Sequence, residues 1–234
     1  KRMVRTSFSE GFDLINETTF QETYINSHDL IYLFSGGLFL MFILNLLFAW
    51  RSQDKLFLWV ALFNFMFFIA DLSGEGLWIN NSFIQLFEFN RYASYPLSIL
   101  SVCTLMIVGI YFLELKSRNK MFYRLYLSCI IICVGITTGF LFGYRDLGVR
   151  IGLIPSLFLP ILFFSSGIKI CKGGLKTAIY FIIGSSITMF FLTLATINLL
   201  IPRLDFNTTK LYLEGAGFIE IMIFTYASVM RFEK

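Results

Sequence analysis

Three observations predict an all-α membrane protein folded as a seven-transmembrane helix bundle. Hydrophobic residues make up 57% of the 234 and charged residues only 15%, where a soluble domain carries roughly 25% charged residues. The mean hydropathy is +0.74. The apolar residues also gather into seven separate stretches, each near the ~20 residues that a helix rising about 1.5 Å per residue needs to cross hydrocarbon. Lipid offers no partner to a backbone amide, so each stretch must satisfy its own hydrogen bonds as a helix.

In chain order the stretches are 30–50, 56–78, 92–113, 125–143, 151–170, 177–201 and 212–230. The first, third, fourth and sixth contain no Asp, Glu, Lys or Arg. Together with their loops the seven nearly exhaust the chain, which divides into an extracytoplasmic tail, 1–29, and a transmembrane domain, 30–234. The tail is polar and lacks the apolar core of a signal peptide, so it is expected to be the end of an upstream sensory domain.

The loops give the orientation. On one side lie Arg51 and Lys55, then Lys116, Arg118, Lys120 and Arg124, then Lys169, Lys172 and Lys176, then Arg231 and Lys234, eleven in all. The other side holds five, Arg91, Arg145, Arg150, Arg203 and Lys210. Lys1, Arg2 and Arg5 of the tail lie too far from the first span to weigh much. Basic loops stay in the cytoplasm, so the N-terminus is predicted outside and the C-terminus cytoplasmic. The net charge of +4 therefore reflects topology. No basic face with interleaved readers points to nucleic acid.

Among the ionisable residues within these stretches, three are singled out for breaking the apolar rule. A charge at the bilayer centre costs about 2.5–3.5 kcal/mol or more, so each one is a functional hypothesis. Asp71 and Glu75, four residues apart, share one face of the second helix, and Glu220 interrupts the seventh. Counted from Trp78 and from Tyr212, Asp71 and Glu220 lie roughly 10 and 12 Å deep. They are expected at similar heights in the outer half, with Arg91 and Arg150 as the nearest counter-charges. The sharp reading is a ligand-binding or switch pocket open to the outside. The bland one is that the acids are neutral or paired and hold helices together, with Glu75 merely solvated. Ala216, Gly217 and Ala227 set small groups near Glu220, which predicts that this acid faces protein. Asn45, Asn64 and Asn198 are polar points in the first, second and sixth spans, where amides bridge helices.

Other chemistries find no support. Cys103, Cys129, Cys133 and Cys171 lie in or beside apolar helices and are read as packing residues, and the single histidine, His28, lies outside the spans. No metal or cofactor site follows from them. No deep lysine in the last helix could carry a retinal Schiff base, and no phosphate loop or nucleophile with a base is present. The chain is not expected to be an enzyme.

Short motifs then carry a resemblance. Tyr32 and Gly36 open the first helix and Asn45 sits near its inner end. The charged turn Arg51-Ser52-Gln53-Asp54-Lys55 follows, then Phe57 and Trp59, where tyrosines are the commoner residues. Gly76-Leu77-Trp78 ends the second helix, and Gly217-Phe218-Ile219-Glu220 runs to Met230-Arg231 in the last. This pattern resembles the bacterial seven-transmembrane receptors with diverse intracellular signalling modules, over residues 30–234. The resemblance implies a sensor in the cell's inner membrane that relays an extracytoplasmic stimulus, such as a small ligand, through the seventh helix. The receiver would be a cytoplasmic signalling domain outside this chain, a kinase or cyclase for instance. It also implies a homodimer, since output domains of that kind work in pairs. The rival from another class is a small transporter or ion carrier with Asp71 and Glu220 as a relay, although no inverted repeat accompanies it.

Overall fold

The computed structural model describes residues 3–5, 14–74, 86–200 and 206–232. A short antiparallel ladder pairs β1, Met3–Arg5, with β2, Leu14–Asn16. The other described elements are helices. The long helices are α1 Glu17–Ser52, α2 Lys55–Gly74, α3 Leu86–Phe112, α5 Lys120–Leu141, α6 Arg145–Lys172, α7 Ala178–Leu200 and α8 Phe206–Phe232, and α4 is a single turn, Leu115–Arg118. The described residues of each apolar stretch fall chiefly on one long helix. Several helices overrun the apolar limits. Thus α1 begins at Glu17, because residues 17–29, though largely polar, include neither Pro nor Gly to stop it.

Four of these helices, over Leu33–Ser52, Lys55–Ser73, Tyr95–Phe112 and Lys120–Leu141, are long and apolar enough among the described residues to cross a membrane, with shorter apolar runs at Ala178–Ile187 and Gly215–Met230. Every long helix also turns a large apolar side chain outward. Leu40, Leu58, Tyr111, Ile131, Ile161, Ile183 and Met222 all lie exposed, an arrangement that suits lipid and would cost a soluble protein its solubility.

The described connections are short and locally specified. Between α1 and α2, Ser52 Oγ accepts from the Asp54 amide at 3.2 Å and Asp54 Oδ1 accepts from the Leu56 amide at 2.9 Å, which caps α2. Gln53 turns the corner with φ 54°. Asn119 caps α5 by accepting from the amides of Met121 and Phe122 at 3.1 and 3.2 Å. At the end of α6, Gly174 takes φ 95°, which lets the Leu175 amide reach the Ile170 carbonyl at 3.4 Å.

Neighbouring helices follow chain order around a ring: α1 on α2, α2 on α3, α3 on α5, then α5, α6, α7 and α8 in turn, with α8 closing against α1 and α2. Helix α3 also leans inward to reach α6 and α7. On the same end as the α1–α2 turn, five fully buried rings join the bundle. Phe181 lies 5.9 Å from Phe112, 5.5 Å from Phe163 and 5.5 Å from Phe224, and Tyr126 meets Phe163 edge-on at 5.6 Å. The Tyr126 hydroxyl is 2.8 Å from Ser166 Oγ, so its one polar atom is satisfied in the core.

Candidate functional site

Several of the polar side chains buried in this bundle, both buried carboxyls and both buried amides among them, line one seam between α1, α2 and α8. Helical spacing puts them there: Ser35, Leu38 and Asn45 share a face of α1, Asn64 and Asp71 share a face of α2, and Gly217, Glu220, Phe224 and Ser228 share a face of α8. At one end of the seam the Ser35 hydroxyl donates to Asp71 Oδ2 at 2.7 Å. Toward the other, the Asn45 amide donates to Thr225 Oγ1 and to the Met41 carbonyl, both at 2.9 Å, and Thr225 Oγ1 returns a bond to Asn45 Oδ1 at 3.3 Å. Asn45 and Thr225 thus make a reciprocal pair across 180 residues of sequence.

Between these two bridges lie Glu220 and Asn64, both with 0% of their surface exposed. The register is set by glycines. A Cβ on Gly217 would lie 2.8 Å from the Phe67 ring, and one on Gly37 would lie 2.7 Å from the Phe218 ring. So α8 approaches α2 and α1 closely because those positions carry no side chain. One turn along from the Gly217–Phe67 contact, in the same direction on both helices, come Glu220 and Asn64. They therefore stand at nearly the same level. Neither amide atom of Asn64 has a hydrogen-bond partner among the described residues, and the same holds for Ser228 Oγ.

Asp71 lies on the other side of that contact. Measured along α2 and α8, or along α1 from the Ser35 and Phe218 contacts, it stands roughly 6–10 Å from the level of Glu220. The sequence had suggested similar depths because it counted each acid from its own span end, but the two helices are offset in register. Asp71 bonds instead to α1, and Glu220 lies deeper along the seam. Glu220 faces protein, as the small residues of α8 predicted. Glu75 lies outside the described residues. Arg91, Arg150 and Asn198 fall in α3, α6 and α7, with side chains outside the described set, so their placement beside the acids is not part of this geometry.

Three members of the seam were not singled out in the sequence, Ser35, Thr225 and Ser228. A hydroxyl residue in an apolar run carries no signal by itself, because it can bond the carbonyl one turn back. Thr137 and Thr138 do this in α5. What distinguishes the three is their place where the surfaces of α1 and α8 meet in the seam.

Chemically, the seam offers hydroxyls, amides and two carboxyls, a set that makes and exchanges hydrogen bonds and holds no activated nucleophile. Helix α8 is the element most involved. It meets α1 through Phe218 and Thr225, α2 through Gly217, α3 and α7 through Phe224, and α7 again through the Tyr226–Tyr180 ring pair at 5.9 Å. Comparison with known proteins adds one match. The family model described as 7TM diverse intracellular signalling covers residues 28–231. No curated protein and no solved structure matches the chain.

Proposed function

Because this chain belongs to the 7TM diverse intracellular signalling family, a membrane domain of signalling receptors, we propose that it is the sensor module of a bacterial receptor in the inner membrane. Its seven long helices would cross the bilayer with the N-terminus outside and the C-terminus in the cytoplasm, as the loop charges argue. Residues 1–29 would extend from an extracytoplasmic sensory part, and α8 would pass the signal to a cytoplasmic output domain, with two copies acting together. The chain itself supplies the relay and no catalysis.

The observation that carries this reading is the position of α8 in the polar seam. A ligand shifts a helix only if it binds two packings unequally. A helix held by hydroxyl and amide hydrogen bonds can exchange one such partner for another when a ligand favours the second packing. The Ser35–Asp71 pair is the member nearest the outer end in the proposed orientation, where an external small ligand would compete for it. Glu220 and Asn64 would be the point at which α8 changes partners, and the Asn45–Thr225 pair the brace that transmits the change.

Glu220→Gln in the full-length receptor tests this. The substitution keeps the shape and removes the ionisable group, so the fold should persist while basal output shifts severalfold. Unchanged output in a folded variant would overturn the relay. Ion flux across proteoliposomes carrying the wild type, abolished by the same variant, would establish the carrier reading instead.

A further inference from the structure

Outside the seam, the surface of the bundle carries a groove of about 880 Å³ between α2, α3 and α5, on the end that bears the α1–α2 turn. Its lining is tiered along the bundle axis. At the rim stand Lys55 at the start of α2 and Lys116 and Ser117 in α4. One turn further in come Trp59 and Tyr111, whose rings stack at 6.4 Å and 22°, with Tyr123 facing them from α5. Another turn in, the wall is wholly aliphatic, formed by Ile107, Leu127 and Ile130.

Cations, then aromatic rings, then aliphatic side chains is the order in which a bilayer leaflet presents phosphate, glycerol ester and acyl chain. The charge at the rim is also one-sided. The one acid there, Glu114, accepts the Arg118 guanidinium at 2.8 Å. Among the described residues neither lysine enters an ion pair. We propose that this groove is a binding site for one anionic glycerophospholipid, with its phosphate on Lys55 and Lys116, its glycerol region against Trp59 and Tyr123, and one acyl chain along Ile107, Leu127 and Ile130. The site does not depend on which leaflet it faces, since both present phosphates, and it does not rest on the receptor reading.

Selectivity is the decisive property, because any hydrophobic groove in a membrane is wetted by lipid. Each lysine near an anionic headgroup should contribute about fivefold in affinity, so the pair should favour phosphatidylglycerol over phosphatidylcholine by about 25-fold. The test uses Trp59 as the reporter in a protein carrying Trp50→Phe and Trp78→Phe, titrated in detergent with phosphatidylglycerol or phosphatidylcholine brominated on the acyl chains. Brominated phosphatidylglycerol should quench Trp59 at about 25-fold lower concentration. Lys55→Gln with Lys116→Gln should erase the difference, and Lys116→Gln alone should reduce it about fivefold. Both lysine side chains are exposed, so a thermal melt of each variant should match its parent. Equal quenching by the two lipids overturns the proposal, as does a preference that survives the double substitution. Abolition of the preference by millimolar inorganic phosphate would show a soluble anion site and overturn the lipid assignment as well.

Discussion

Asn45 and Asn64 are the same side chain in the same bundle with opposite surroundings, and they should respond oppositely to substitution. Asn45 spends its amide on Thr225 and on the Met41 carbonyl. Asn45→Ala should therefore cost about 1 kcal/mol of stability, and Thr225→Val a similar amount. The double variant should lose little more than either single one, read as coupling in a thermal double-mutant cycle. Asn64 is as deeply buried, with both amide atoms unmatched among the described residues. Unmet polar groups in a core cost about 1–3 kcal/mol each, so Asn64→Leu should raise the melting temperature. A fall would reveal a bound polar partner at that point. The sequence made the burial of these residues legible, since a lone amide inside an apolar helix stands out. It could not say which amide was matched, because Thr225 lies 180 residues from Asn45 and looks like any other hydroxyl in a hydrophobic run.

Helix against helix, the register is held by missing side chains as much as by contacts. Gly217→Ala should push the Phe67 ring aside at a cost of about 1–3 kcal/mol, and Phe67→Leu in the same protein should recover part of that loss. Failure of the second change to relieve the first would mean that α8 and α2 are not pinned at this point. A separate strain sits in the α1–α2 turn, where Gln53 holds φ 54°. A left-handed residue with a Cβ costs about 1–2 kcal/mol, and glycine returns part of that through its freer unfolded chain. Gln53→Gly should thus stabilise the protein by up to about 1 kcal/mol in a detergent melt. Composition alone sufficed to find the long helices, because hydrocarbon leaves the backbone no other choice. It did not reveal their ends. The polar start of α1 at Glu17 and the single turn α4 depend on local capping and on the absence of helix breakers, which hydropathy does not report.

For the whole molecule, the proposed seven crossings fix which loops share a side once any one is located. With the four native thiols replaced, single cysteines at Gln53 and Ser117 should label from the same face of the membrane, and one at His28 from the opposite face. Labelling of all three from one side would remove the proposed route from outside to cytoplasm. The order of helices around the ring was hidden from the sequence, as charge counting gives sidedness and says nothing of lateral neighbours. That order has a consequence for biosynthesis. Of the long helices α1 leaves the ribosome before the others, and it packs against α8, so Asn45 and the Gly37 cleft lack their partners until α8 has been made. Only then can the open bundle zip shut. A polypeptide cut short before Phe206 would leave that slot on α1 unfilled, with the Asn45 amide without Thr225 and the Gly37 cleft without the Phe218 ring.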